Sequence, residues 1–297
     1  MIKQINSKVF VKCLQTAAIM TLFGIIVQVV KGQLILKLPR PQISFIIGVV
    51  ISYTLLGTLY AVAFYIFRNA LPGKKSVQRG LFYAFFCSVT VLIPGILGML
   101  AFDFDGGNDL FTSYKIEQYF ILLVDAVNLF IGGFVMTKFF KDDMVFPRSA
   151  ERHPKGILIS SLIGAVLFPL LMLVFHVMAE GIFPLGIEIP VNAKLWYYKA
   201  LISPFILTGG FLPWFYQSVN DVFPGKWARK SFNFFLVFYC CFWIINISFI
   251  LNFGFSLHYV LFQLGISILP LLLISMLNGF IIDKISKERQ PDAKDKR

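Results

Sequence analysis

One carboxylate inside a long apolar run is the clearest candidate for chemistry in this sequence. Asp125 lies near the middle of the run from 118 to 137, with Gln118 seven residues before it and Asn128 three residues after it. This spacing places the three side chains on one face of an α-helix. A carboxylate at bilayer depth is costly and normally faces protein or a water-filled cavity. We therefore predict that this face looks into the protein, where Asp125 couples a proton or cation or lines a binding pocket.

The same pattern has a structural interpretation, in which a protonated Asp125 hydrogen-bonds to a neighbouring helix. The last apolar run adds Gln263 and Pro270 on one face. Gln263 therefore joins Asp125, Asn128 and Gln118 in the predicted binding or coupling set. Prolines inside apolar runs predict kinks that free backbone carbonyls, and they occur at 94, 169, 204, 213 and 270. Kinked helices are typical of moving proteins and of static bundles alike.

A metal site is a weaker alternative. His176 and Glu180 lie four residues apart, and His258 is predicted on the same outer side of the membrane. Imidazole and carboxylate groups bind divalent metals, but the spacing matches no established metal motif. We therefore predict that these are interfacial polar residues, with no metal and no cofactor. The HExxH, GxSxG and Rossmann glycine patterns are absent from the sequence, which favours a protein that is not an enzyme and has no catalytic residue to name.

Two basic turns interrupt the apolar runs. The tripeptide Pro-Gly-Lys occurs at 72–74 and again at 224–226, an offset of 152 positions. Pro fixes φ, and the following Gly accepts a conformation that other residues avoid, so we interpret both turns as cytoplasmic hairpins of equal length. A phosphate-binding loop is the alternative, but the GxxxxGK[ST] spacing is missing. The basic residues assigned to the two hairpins are Lys74, Lys75, Arg79, Lys226, Arg229 and Lys230.

The elements that carry these residues are predicted to be membrane-spanning helices. Of the 297 residues, 58% are apolar and only 14% are charged. The apolar runs are long enough to cross a hydrocarbon layer of about 30 Å at about 1.5 Å per residue. The sequence thus predicts an all-α polytopic membrane protein with eight spans, at about 13–30, 43–67, 80–102, 118–137, 156–178, 198–218, 231–252 and 259–282.

The charges of the chain indicate its orientation. Lys and Arg cluster at the ends of apolar runs, and 21 of the 27 fall on the side that carries both termini, against five on the other side and Lys199 at the outer end of a run. This bias predicts cytoplasmic termini. The net charge of +12 then indicates contact with anionic lipid at the cytoplasmic face rather than with nucleic acid. The short loops suggest a bacterial or archaeal cytoplasmic membrane.

The two halves of the sequence resemble each other. Gly57 matches Gly209 at offset 152, and Gly133 matches Gly279 at offset 146, whereas Leu22 with Leu167 at offset 145 is a weak match. We predict two parallel four-helix repeats, related by a pseudo-twofold axis along the membrane normal. Chance similarity of apolar segments is the alternative. The predicted divisions are a first repeat at 1–141, a cytoplasmic linker at 142–156, a second repeat at 157–282 and a disordered cytoplasmic tail at 283–297. Asp125 pairs with Leu271 and so has no acidic counterpart.

Three functions fit this pattern. The first is a transporter or exporter of a small solute or lipid-like molecule, with its path between the halves and Asp125 as the coupling or binding residue. The second is a non-catalytic membrane scaffold or accessory subunit that binds a partner through its basic hairpins. The third is an integral membrane enzyme that acts on lipid near His176, Glu180 and His258. The sequence assigns neither the identity of the small-molecule or lipid ligand nor an oligomeric state.

Overall fold

The computed structural model describes residues 6–30, 43–92, 115–141, 154–182, 194–243 and 257–288. Within these ranges the chain forms eight α-helices and no β-strand. The all-helical fold follows from the apolar composition, since a helix satisfies its own backbone hydrogen bonds where no water is available. The helices are α1 (Ser7–Val30), α2 (Ile43–Phe67), α3 (Ser76–Cys87), α4 (Lys115–Phe139), α5 (Pro154–Ile182), α6 (Lys194–Val219), α7 (Trp227–Phe238) and α8 (Leu257–Glu288).

Two short π-helical segments extend the shorter helices. Ser88–Leu92, here named π1, continues α3, and Tyr239–Trp243, named π2, continues α7. Each π segment has five residues and follows a 12-residue α-helix. The sequence predicted spans at 80–102 and 231–252, with a kink at Pro94 in the first, but it did not predict the change of helix type at 88 or at 239. The remainder of both spans lies outside the described residues.

Long apolar helices support a membrane location. Three stretches within the described helices are long and apolar enough to cross a bilayer: Ser7–Ile26, Pro154–Ala179 and Leu264–Ile285. Shorter apolar helical stretches occur at Tyr53–Phe67 and Ala126–Phe139. On α5, Leu158, Leu162 and Val166 follow one another at four-residue spacing and are 62%, 63% and 63% exposed. Such a continuous exposed apolar stripe suits contact with lipid.

Two predicted boundaries are wrong. α8 continues to Glu288, so the part of the predicted disordered tail at 283–288 is helical. This segment contains no Gly or Pro and includes the helix formers Lys284, Lys287 and Glu288. α5 begins at Pro154, inside the predicted linker 142–156, because proline is well suited to the first turn of a helix. The rest of the tail and of the linker lies outside the described residues.

The eight helices pack as two groups of four. In the first bundle, α1 packs against α2 and α4, and α3 packs against α4. In the second bundle, α5 packs against α6 and α8, and α7 packs against α8. The bundles contact each other through their π segments, since π1 lies against α6 and π2 lies against α2. The order of helices and the pairs that touch therefore correspond between the bundles.

Small residues set the closest helix crossings. A Cβ atom added to Gly57 would lie 2.7 Å from Ala17 Cα, so α2 and α1 touch backbone to backbone there. In the second bundle, a Cβ added to Gly209 would lie 2.1 Å from the Gly164 carbonyl oxygen. Membrane helices gain little hydrophobic energy from one another in lipid, and small residues let their backbones approach. The crossing of α1 with α2 thus corresponds to that of α5 with α6.

A second pair of crossings corresponds in the same way. A Cβ added to Gly80 on α3 would lie 2.3 Å from the carbonyl oxygen of Gly133 on α4. A Cβ added to Gly279 on α8 would lie 1.8 Å from Ser231 Oγ on α7. Gly80 therefore corresponds to Ser231, an offset of 151, while Gly133 corresponds to Gly279 at the offset of 146 expected from the sequence.

An aromatic core fills the contact between the bundles on the side of the hairpins. Phe215 of α6 lies at its centre, with its ring centroid 5.4 Å from that of Phe67 and 5.2 Å from that of Phe86. Phe67 also contacts Phe223, at 6.1 Å between ring centroids. We define the aromatic core as these rings and their buried neighbours, namely Phe67, Tyr83, Phe86, Phe215, Phe223, Phe234 and Phe238.

Candidate functional site

The first hairpin is held by its own side chains. Gly73 has φ of +136°, a conformation that favours glycine. Gln78 Oε1 accepts hydrogen bonds from the backbone N–H groups of Lys74, at 2.9 Å, and Lys75, at 3.1 Å. These bonds satisfy donors that the start of α3 would otherwise leave unpaired. Lys74 and Lys75 point outward and are exposed.

Arg79 closes the same hairpin from inside. Its side chain is 2% exposed, and it donates from Nε to the Gly73 carbonyl at 3.1 Å and from Nη1 to the Arg68 carbonyl at 3.0 Å. Burial lowers the pKa of the Arg79 guanidinium from its ordinary value, but an arginine stays charged at neutral pH. Arg79 is therefore an internal clamp of the hairpin to which the sequence assigned it.

The second hairpin reaches a similar turn by different contacts. Gly225 has φ of +104°. Lys230 Nζ lies 3.5 Å from Asp221 Oδ1 and forms the ion pair of this hairpin. α7 begins two residues after Gly225, whereas α3 begins three residues after Gly73, so the prediction of equal hairpin length is wrong by one residue. At the offset of 151, Lys230 corresponds to Arg79.

The six predicted hairpin cations therefore divide into two groups. Arg79 and Lys230 make contacts within their hairpins. The other four, Lys74, Lys75, Lys226 and Arg229, are exposed.

The predicted polar face of α4 is described in part. Asn128 is 2% exposed, and its Nδ2 donates to the Met20 carbonyl of α1 at 3.3 Å. Asn128 Oδ1 is buried and has no hydrogen-bond partner among the described residues. Asp125 and Gln118 lie on α4 at the predicted spacing, and Gln263 lies on α8, but the side chains of these three are outside the described part. Their binding or coupling role stays a prediction.

His176 is a core residue of the second bundle. Its side chain is fully buried, and its ring meets that of Phe262 edge to face with centroids 5.6 Å apart. The expectation of an interfacial polar position for His176 is therefore wrong, because α5 and α8 pack closely at this level. The side chains of Glu180 and His258 lie outside the described residues. Among the residues that the structure does describe, no three His, Cys, Asp or Glu side chains come together as metal ligands.

The second bundle also buries a group of polar side chains that no single apolar run of the sequence reveals. Ser160 Oγ of α5 donates to Asn278 Oδ1 of α8 at 3.1 Å. The hydroxyls of Tyr216 and Ser231 hydrogen-bond at 3.2 Å beside Gly279, the residue after Asn278. Ser275 is buried three residues before Asn278, on the same face of α8. We name Ser160, Tyr216, Ser231, Ser275 and Asn278 the polar cluster. The available signal is that each of these apolar runs carries isolated polar residues. It becomes visible only when the runs are compared with one another.

A hydrogen bond joins the two bundles where π1 meets α6. Thr208 Oγ1 of α6 donates to the Thr90 carbonyl of π1 at 2.9 Å. Within π1, Ser88 and Thr90 direct their hydroxyls back to carbonyls four residues earlier, at 2.8 and 2.6 Å. A π-helical turn changes the pairing of its carbonyls, and here one of them is used to join the bundles.

Comparison with known proteins gives this chain no relatives: no protein-family model, no curated protein and no solved structure matches it.

Proposed function

We propose that this chain is a multi-pass membrane transporter or exporter of a small solute or lipid-like molecule. In this proposal it has eight spans in two parallel repeats, and both termini are cytoplasmic. The observation that carries the proposal is the reciprocal contact of π1 with α6 and of π2 with α2. Two bundles that meet through equivalent elements are the usual plan of transporters whose halves rock about a central path.

The π segments support movement at this contact. A π-helical turn inside a membrane helix often marks a functional position. In each bundle the π segment directly follows the part of the α-helix that contributes to the aromatic core. The proposed path runs between the bundles, and the aromatic core closes its cytoplasmic end. In this arrangement Asp125, predicted on the inward face of α4, is the coupling residue.

The proposal is tested by joining the bundles across the aromatic core. Phe67 and Phe223 belong to different bundles, so cysteines at both positions, in a Cys240→Ser background, can be bridged by a short bis-methanethiosulfonate reagent, which joins each thiol through a reducible disulfide. The matched control is a cysteine pair at Phe232 and Leu236, which lie four residues apart on α7, are exposed and stand outside the aromatic core. The assay is proton movement in pyranine-loaded proteoliposomes on addition of neutral, anionic and cationic amphiphiles.

For a transporter, bridging 67 to 223 stops the flux, reduction restores it, and bridging 232 to 236 leaves it unchanged. Asp125→Asn abolishes the pH-dependent flux while expression is retained. The proposal is rejected if no amphiphile drives proton movement in the wild type, or if the bridged 67–223 protein transports normally.

The four exposed hairpin cations favour a second candidate, a scaffold or accessory subunit held at anionic lipid or an acidic partner surface. Replacing Lys74, Lys75, Lys226 and Arg229 by Gln would then remove a co-purified partner or anionic lipid, with Asp125→Asn silent. Retention of the same species by the quadruple variant would speak against it. No contact among the described residues favours the lipid-directed enzyme.

A further inference from the structure

The polar cluster lies near the cytoplasmic-hairpin end of the second bundle. Ser160 is the seventh residue of α5, and Tyr216 lies three residues before the end of α6. Ser231 is the fifth residue of α7. At about 1.5 Å per residue, all three lie within about 10 Å of a helix end. The headgroup of a lipid in the adjacent leaflet can therefore reach this depth.

Two members of the cluster have unmet hydrogen-bonding capacity. Ser275 Oγ and Asn278 Nδ2 are buried and have no hydrogen-bond partner among the described residues. Ser275 and Asn278 are each 1% exposed. A buried polar group without a partner costs about 1–3 kcal/mol, and both lie on the face of α8 that meets Ser160. Two further buried oxygens, Ser161 Oγ on α5 and Gln217 Oε1 on α6, also have no partner within the described part of the chain.

The first bundle shows that helix packing does not require these groups. The close crossings give the offset for each helix pair, namely 147 from Ala17 to Gly164, 152 from Gly57 to Gly209, 151 from Gly80 to Ser231 and 146 from Gly133 to Gly279. At these offsets the five cluster positions correspond to Cys13, Phe64, Gly80, Leu129 and Gly132, all of which are buried. The same four-helix arrangement is therefore built without a single hydroxyl or amide side chain at those positions.

We propose that Ser160, Ser275 and Asn278 form a binding site for an uncharged, hydroxyl-bearing headgroup of an amphiphile. Ser160, Ser275 and Asn278 offer hydroxyls and an amide but no charge. The acidic side chain of Asp283 acts electrostatically on Tyr216 of the cluster and disfavours an anionic ligand, and a charged headgroup among the three proposed contacts would have no charged side chain of the site to pair with in a low-dielectric interior. A hydroxyl both donates and accepts, and so it satisfies Asn278 Nδ2 and Ser275 Oγ together. The proposal concerns binding and does not depend on whether the chain transports the same molecule.

The test is a competition between three amphiphiles that share one oleoyl chain. Purified protein is incubated with equimolar monooleoylglycerol, oleic acid and oleoyl-lysophosphatidylcholine, and the retained species are measured by native mass spectrometry. The wild type should retain the neutral glycerol headgroup about tenfold over the other two, the change in affinity that one hydrogen bond of about 1.4 kcal/mol provides.

Two variants assign the preference to the cluster. Ser275→Ala and Ser160→Cys should each abolish the preference for the neutral headgroup. Cysteine is chosen at 160 because the first bundle has Cys13 at the corresponding position. The control is Ser218→Ala, which removes a hydroxyl of α6 that bonds only to the Trp214 carbonyl in the described structure and should leave the preference intact. Thermal unfolding within a few degrees of the control establishes that the variants fold. Equal retention of all three amphiphiles by the wild type, as expected if water alone fills the site, or an unchanged preference in both variants, overturns the proposal.

Discussion

In the first bundle α4 crosses α3 at Gly80 and Gly133, and in the second α8 crosses α7 at Ser231 and Gly279. The helix pairs are the same, but the polar groups are buried in different places. The first bundle has Asn128 bonded to the backbone of α1, and the hydroxyls of Thr21 and Thr54 bonded to each other between α1 and α2. The second has two side-chain pairs in one cluster, Ser160 with Asn278 and Tyr216 with Ser231. The difference teaches that small residues at the crossings define this architecture, whereas buried polar groups are additions specific to each bundle.

The largest expected effect tests the role of the small residues. A Cβ at Gly209 would meet the Gly164 carbonyl at 2.1 Å, whereas a Cβ at the neighbouring Gly210 would have its nearest contact at 3.6 Å. Gly209→Ala should therefore destabilise the second bundle by about 3 kcal/mol or more through overpacking, measured by thermal unfolding in detergent. Gly210→Ala is the matched control and should be tolerated. Equal unfolding temperatures for the two variants would show that the crossing is not closely packed.

The next prediction compares the clamps of the two hairpins. Arg79→Ala should cost about 2–3 kcal/mol, because it removes two charge-assisted hydrogen bonds from a buried site. Lys230→Ala should cost about 0.5 kcal/mol or less, since the side chains of Lys230 and Asp221 are 26% and 60% exposed and water screens their attraction. Chemical denaturation at low and high salt distinguishes the two stability losses, because only the small loss caused by Lys230→Ala should decrease as salt is added. Similar costs for both would contradict the assignment of Arg79 as an internal clamp.

A smaller effect is expected from the capping of α3. Gln78→Ala leaves the N–H groups of Lys74 and Lys75 without their acceptor and should cost about 1 kcal/mol. The corresponding residue of the second hairpin is Arg229, which is exposed, and no side chain caps α7 in the described structure. Arg229→Ala should therefore leave stability nearly unchanged. Hydrogen exchange at 74 and 75 provides the local readout, and unchanged protection in Gln78→Ala would refute the cap.

Much of the helical layout was predictable, because the lengths and positions of the apolar runs are sufficient to place the helices. The run at 43–67 coincides with α2, and the remaining helix bounds within the described ranges differ from the predicted spans by a few residues. The residue offsets that align the first bundle with the second were harder to predict. The weak match of Leu22 with Leu167 suggests an offset of 145, whereas the close approaches of Ala17 to Gly57 and of Gly164 to Gly209 indicate 147. Apolar residues recur too often to define register, whereas close backbone approach does.

The polar cluster was not predictable from single runs, for a physical reason. Ser160, Ser275 and Asn278 are each unremarkable in an apolar helix, because serine and asparagine can bond to nearby backbone. Only the packing of α5 on α8 brings them together. Arg79 illustrates the converse: the sequence assigned it to the first hairpin, but only the turn at Gly73 shows that the carbonyls of Gly73 and Arg68 surround its guanidinium.

The smallest predicted effect concerns Asn128, which the sequence placed in the coupling set with Asp125. Its single hydrogen bond to the Met20 carbonyl is 3.3 Å long, and side-chain hydrogen bonds between membrane helices contribute about 0.6 kcal/mol on average. Asn128→Ala should therefore lower stability by about 0.6 kcal/mol. Its corresponding residue in the second bundle is the buried Ile274, so this position does not need an amide for packing. If Asn128 only joins α4 to α1, the variant shifts thermal unfolding slightly and leaves proton-driven flux intact. A loss of flux with an unchanged unfolding temperature would instead place Asn128 beside Asp125 in the coupling set.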